Sequence, residues 1–202
     1  MTTRSIVLDT MRCNTFFILF VLSFSCAFAQ VKNEREFRIK PSELPKTVET
    51  QLTPHMDGAK RIRYYQEIDG EKKSFEAKFK KGRLRYSVEF DELGALEDAE
   101  FIIGKTDIPN ETWSAIENYL GNEFKKFTIK KIQQQYPVAD KSSTQVLKEA
   151  FQNLILPYIN YELVVSGKKN QVFEQFEILF DSDGTFLSIR KSIRPKYDHV
   201  LY

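Results

Sequence analysis

The sequence predicts an α+β protein of two tandem repeats, each a helix followed by a four-stranded antiparallel β-meander, with an extra helix inserted in the second. Three observations carry this. Val88-Glu89-Phe90-Asp91-Glu92-Leu93-Gly94 returns as Ile178-Leu179-Phe180-Asp181-Ser182-Asp183-Gly184, and internal repetition is the first signal to weigh. Leu44-Pro45 and Ile108-Pro109 each open a stretch of helical spacing. The remaining segments alternate apolar and polar residues with period two between Gly-bearing turns, as half-buried strands do.

The N-terminus reads as an export signal covering residues 1–29. Arg4 and Arg12 precede the apolar run Phe16–Leu22, and Ala27-Phe28-Ala29 supplies the small-x-small cleavage pattern. The run is too short to span a bilayer. Cys13 and Cys26 lie in this segment, so the mature chain has no disulfide or thiolate chemistry. Losing two cations (Arg4, Arg12) and one anion (Asp9) takes the formal charge from +2 to +1, unlike the strongly basic balance of a nucleic-acid binder. Abundant aromatic residues with few Gly and Pro indicate a packed core rather than disorder. The predicted location is periplasmic or secreted.

Residues 30–40 are charged and aperiodic and read as a linker. The first repeat spans 41–105. Its helix carries Val48 and Leu52 on one face and stops at Pro54. A strand with Ile62, Tyr64 and Ile68 follows, then the Asp69-Gly70 turn, a strand with Phe75, Ala77 and Phe79, a turn at Lys81-Gly82, a strand from Leu84 to Phe90, and a last strand to about Ile103. One face of this sheet should pack on the helix and the other face water. The second repeat spans 106–202. Its helix carries Thr112, Trp113, Ile116, Tyr119 and Leu120 and ends at Gly121. Phe127–Tyr136 is a strand in which Ile129 and Ile132 break alternation, predicting a bulge. An insertion over 138–159 contains the cap Ser142-Ser143-Thr144-Gln145 and the helical series Leu147, Ala150, Phe151, Leu154. Strands then follow at Tyr161–Val165, Val172–Phe180 and Thr185–Ile193, with a turn over Gly167–Asn170 and a tail from Arg194.

The order of Leu-Pro helix, basic strand, Tyr-Glu-aliphatic strand and Phe-Asp-x-x-Gly hairpin resembles the PepSY-like, or β-lactamase-inhibitor-like, exported proteins. The matching residues are Leu44, Pro45, Phe90, Asp91 and Gly94, then Ile108, Pro109, Tyr161, Glu162, Phe180, Asp181 and Gly184. The resemblance implies tandem helix-covered sheets in an envelope protein that binds or inhibits other proteins. It implies no reaction.

The inventory also argues against catalysis. His55 and His199 lie at a helix end and in the tail, so no nucleophile–base pair is set up. Neither zinc spacing nor a phosphate loop occurs, and Asp181-x-Asp183-Gly184 is a turn rather than a calcium loop, since its later acidic ligands are replaced by a strand. No cofactor or metal is predicted. Two surfaces remain. Arg61, Arg63, Lys78, Lys80, Arg83 and Arg85 share the polar phase of three adjoining strands and form a candidate docking face for an acidic partner, interrupted by Glu67, Glu76 and Glu89. Val164, Phe173, Leu179 and Phe186 place apolar side chains on the outer phase of the second sheet, where the inserted helix around Phe151 and Leu154 would cover them. The predicted function is a non-enzymatic protein-binding module, an inhibitor or sensor. The alternative is a carrier of a small apolar or lipid-like ligand held at Phe151, Leu154, Val164, Phe173, Leu179 and Phe186.

Overall fold

The computed structural model describes residues 31–32, 34–169 and 171–192. The predicted signal segment, both cysteines, His199 and the tail lie outside the described residues. Ten strands form one sheet: β1 (Val31–Lys32), β2 (Glu34–Ile39), β3 (Lys60–Asp69), β4 (Lys72–Lys81), β5 (Leu84–Asp91), β6 (Leu96–Ile102), β7 (Phe127–Pro137), β8 (Asn160–Lys169), β9 (Val172–Asp181) and β10 (Phe186–Ser192). The order is β1-β10-β9-β8-β7-β6-β5-β4-β3-β2, antiparallel throughout except for the β1–β10 pair. Three helices accompany it: α1 (Lys46–Leu52), α2 (Asn110–Glu123) and α3 (Ser143–Phe151).

The described residues of the expected linker, 31–32 and 34–39, are therefore strands. β1 pairs with β10 at one edge, and β2, one residue further on, pairs with β3 at the other. A single short segment can touch both edges only if the sheet curls until its ends meet. Four register shifts, at Lys60/Arg63, Glu89/Phe90, Ile129/Lys131 and Phe186/Ser188, add local twist to that curl. The third is the bulge expected in β7. Closure also removes the edges at which an open sheet would aggregate.

The apolar face is convex and carries the helices. Phe75, Ala77 and Phe79 on β4, Tyr86, Val88 and Phe90 on β5, and Leu163, Ile178 and Phe180 on β8 and β9 are buried there with Val48, Leu52, Ile116 and Leu120 of α1 and α2. The two Phe-Asp-x-x-Gly turns dock on their helices by the same contacts. In each, the Asp carboxylate accepts from backbone N–H groups of its turn, and a helix threonine donates to a turn carbonyl: Thr47 to Leu93 and Thr112 to Ser182. Gly94 (φ +80°) and Gly184 (φ +84°) sit in the left-handed region against α1 and α2, so a side chain meets both strain and a neighbour.

Several boundaries differ from expectation. α2 continues past Gly121 to Glu123, because Leu120 still finds a backbone partner in Phe124. Gly167 lies within β8 rather than in a turn. A Cβ there would fall 2.3 Å from the Phe124 ring, so its bareness makes room for an aromatic. Arg83 lies in the β4–β5 turn, off the sheet. The insertion does not cover the polar side of the second half. α3 packs on the convex face over β6 and β7, burying Val146, Leu147 and Ala150. Two short helices leave that central strip bare, and α3 fills it. The Tyr136 hydroxyl donates to the Leu154 carbonyl at 2.7 Å and ties the insertion down.

Candidate functional site

Because the sheet curls with its apolar side outward, its polar side lines a lumen instead of facing open water. This corrects the sequence expectation of a solvated outer face. The lumen is a cavity of about 920 Å³ walled by residues from every strand from β2 to β10. Charged side chains are consequently buried on strands whose polar phase looks ordinary: Glu67 is 5%, Glu76 4% and Glu100 5% exposed. A buried ionised carboxylate is costly unless it is paired, so each must find a cation, share a proton or take up hydrogen bonds.

On the β2–β4 side, the oxygens of Glu36, Glu67 and Glu76 come within 4.8 Å of one another. The ammonium of Lys78 lies among them, 2.5 Å from Glu36 Oε1 and 2.6 Å from Glu76 Oε2, and over the Tyr65 ring at 4.9 Å. The two groups with the shortest reach to it thus have their counter-ion. Burial and the neighbouring Glu76 and Glu34 push the Glu67 carboxyl up to about 12, so it is protonated. Burial acts the same way on Glu76, but hydrogen bonds from Glu67, Lys78 and Ser87 together with the Lys78 charge outweigh it and hold Glu76 below its ordinary value.

The β6–β8 side is built differently. Asp98 and Glu100 alternate on β6 and face Gln133 and Gln135 of β7, with Glu162 of β8 next in register to Gln133. Gln133 donates to Glu100, and Gln135 donates to Asp98 at 3.1 Å and to Glu100 at 3.2 Å. Burial, then the charge of Glu162, raises both acids: Asp98 to about 7, and Glu100 well above the carboxylate range. Lys131 acts on Glu100 in the opposite sense, more weakly than the burial and the acidic neighbours.

The predicted cationic residues divide. Arg61, Arg63, Lys80 and Arg85 are exposed and gather at one end of the lumen, where β3 begins, β4 ends and β5 begins. Among the described residues no ion pair holds any of the four. Arg61 adopts φ +57° within the β3 bulge, unusual for a side chain that bulky. Lys78 is committed inside the lumen, and Arg83 sits in the turn beside the group.

The apolar candidates are not gathered. Phe151 is on the convex side, stacked on His55 at 4.8 Å and on Tyr86 at 5.0 Å. Phe186 stacks on Tyr119 of α2 at 4.6 Å, and Leu154 and Phe173 are exposed elsewhere. Val164 and Leu179 share the polar face, and Val164 lines the lumen among charged neighbours. The acidic floor at Asp98, Glu100 and Gln133 was not singled out from sequence. The signal available was a run of polar-phase positions on three strands almost without lysine, where a solvated face carries both signs.

No helix of the described residues is long and apolar enough to cross a membrane. No protein-family model matches the chain, and no curated protein matches it. Solved structures that match include a BLIP-like protein of Bacteroides fragilis NCTC 9343, at 12% identity over 72% of this chain and 84% of that one, with a TM-score of 0.47. A DUF2874 family protein of Bacteroides ovatus ATCC 8483 matches at 12% identity over 73% and 86%, with a TM-score of 0.49. A DUF2874 family protein of Bacteroides vulgatus ATCC 8482, described as periplasmic, matches at 19% identity over 76% and 95%, with a TM-score of 0.29.

Proposed function

We propose that the chain is an exported, non-enzymatic protein-binding module that docks an acidic segment of a partner on the basic end of its lumen. The observation that carries this is the convergence of Arg61, Arg63, Lys80 and Arg85 from three strands, exposed and without carboxylate partners among the described residues, at one end of the lumen. Free cations held on a rigid sheet lose little entropy on meeting an acidic partner, and they steer its approach. The left-handed φ at Arg61 supports the reading, since backbone strain is maintained where it aims a side chain. The two halves are read as tandem copies, a view supported by their matching turn–helix contacts.

The test is capture from an envelope extract by three baits: the parent, the triple variant Arg61→Glu, Arg63→Glu, Lys80→Glu, and the convex-face control Lys148→Glu. The reading expects one stoichiometric protein on parent and control, with the triple variant at least about tenfold weaker against that purified protein. Equal capture by all three, or capture by none, refutes it.

A further inference from the structure

The basic end is wider than the four cations that define it. Lys130 and Lys131 of β7 also line the cavity, and neither has an ion pair among the described residues, although Lys131 lies near enough to Glu100 to act on its carboxyl. Between the two cationic groups runs β6, which presents no charge there. Its Ile102 follows the Tyr86–Phe101 pair, so it sits beside Arg85 on one side, and it pairs with Gln133 on the other. Ile102 lines the same cavity and is 40% exposed. Val164 of β8, opposite Lys131, continues the apolar wall.

Two costs are built into this arrangement. Arg63 stands directly opposite Lys78, and Lys80 directly opposite Arg85, and like charges facing each other across a ladder destabilise a sheet. Glu36 and Glu76 answer Lys78, but no ion pair among the described residues answers Lys80 or Arg85. The second cost is apolar area kept in water at Ile102, with cations on both sides of it. A purely ionic ligand such as a phosphate chain relieves only the first. A ligand that relieves both carries acids on either side of an apolar side chain, and a short stretch of polypeptide supplies that pattern. From β3 to β7 is four strand spacings, about 19 Å, which about six extended residues span.

We infer that the segment docking here is a stretch of about six residues in which acids flank one apolar side chain. That side chain seats on Ile102, while the acids meet Arg61, Arg63, Lys80 and Arg85 on one side and Lys131 on the other. An apolar anchor inside a charged rim is how a small interface concentrates its affinity. The inference rests on the docking reading above and adds to it an anchor and a second bank of charge.

The full chain is titrated at physiological ionic strength with three probes: the blocked peptide Glu-Asp-Glu-Leu-Glu-Asp, the same peptide with serine in place of leucine, and hexametaphosphate. The leucine peptide should bind about tenfold tighter than the serine peptide, the worth of part-burying one leucine. Ile102→Ser should weaken the leucine peptide by about that factor and leave the serine peptide unchanged, whereas a residue serving only the fold would weaken both alike. Lys131→Gln should weaken both peptides about threefold, the worth of one exposed charge pair. On the parent alone, which no misfolding confuses, the Ile102 methyl resonances should shift strongly with the leucine peptide and little with the serine one. Equal affinity for the two peptides, or unmoved Ile102 methyls, overturns the inference; if the triple variant Arg61→Glu, Arg63→Glu, Lys80→Glu still abolishes that equal binding, the docking reading stands without it. Hexametaphosphate binding tighter than the leucine peptide identifies a purely ionic occupant and also overturns it. Binding of neither peptide up to millimolar concentration overturns both readings.

Discussion

Gly184 tests whether the Phe-Asp-x-x-Gly hairpin is a seat for its helix or merely a tight turn. In Gly184→Ala the new Cβ lies 2.5 Å from the Thr112 carbonyl oxygen and 3.0 Å from the Ala115 Cβ, at φ +84°. The left-handed conformation alone costs an alanine about 1–2 kcal/mol, and forcing a methyl into a filled contact adds about 1–3 kcal/mol. Gly70→Ala isolates the first contribution, because Gly70 has φ +64° and no heavy atom within 4 Å of the added Cβ. Gly94→Ala falls between them: its nearest obstacle is the Thr47 hydroxyl, a side-chain end that can rotate away at the loss of its bond to Leu93. Thermal unfolding of the three variants should rank the losses Gly184, then Gly94, then Gly70, with midpoint temperatures falling about 2–4 °C per kcal/mol for a chain of this size. A Gly184→Ala loss no larger than that of Gly70→Ala would show that the turn does not rest on α2.

Two predictions concern the lumen. Asp98, raised to about 7, keeps its proton in the folded state at pH values where the unfolded chain has already released it, so it contributes stability below about pH 4 that is lost as pH rises towards 7. Glu67 and Glu100 act in the same direction and Glu76, held low, in the opposite one. Asp98→Asn can still accept from Gln135, and it should be more stable than the parent at pH 7.5 and no more stable at pH 4 when unfolding is followed at both; the same difference at both values contradicts the assignment. Lys78→Met removes the cation between Glu36 and Glu76; Glu76 is buried but the Lys78 side chain is 41% exposed, so solvent screening brings the expected loss below that of a fully buried pair, to about 1–3 kcal/mol at pH 7. A loss below about 1 kcal/mol, the range of exposed pairs, would mean the pair is solvated.

The local chemistry of this fold was legible and its closure was not. Asp91–Gly94 and Asp181–Gly184 announce their turns because carboxylate capping and positive φ are needs of four consecutive residues. The strands announce themselves by alternation. The role of residues 31–39 depends on two edges that are far apart in sequence, and nothing in Glu34-Arg35-Glu36-Phe37-Arg38-Ile39 says which edge it will reach. Alternation is likewise silent about curvature: Glu76 and Glu100 occupy polar-phase positions that would read the same on an open, wet sheet. For that reason six cations looked like one patch, although Lys78 is enclosed with Glu36 and Glu76 while Arg61, Arg63, Lys80 and Arg85 stand at an opening. The insertion could be read as a helix from its Ser142 cap and apolar spacing, but its destination over β6 and β7 followed from the gap between α1 and α2.

The thickness of one sheet separates a tightly packed face from a polar one, and two consecutive residues put that to the test. Gln134 points outward, is 1% exposed, and donates to the Tyr136 hydroxyl at 2.6 Å and to the Leu154 carbonyl at 3.3 Å beneath the insertion. Gln133 lies on the lumen side, with an oxygen that has no donor among the described residues. Gln134→Ala removes two buried hydrogen bonds and opens space in the packed side, and should cost about 1–3 kcal/mol. Gln133→Ala deletes a half-satisfied amide and also one of the donors to Glu100, two changes of opposite sign, so stability should move by less than about 1 kcal/mol. Unfolding curves of the two proteins decide the matter. If Gln133→Ala costs as much as Gln134→Ala, the polar side is bound into the fold as tightly as the packed side, and the separation fails.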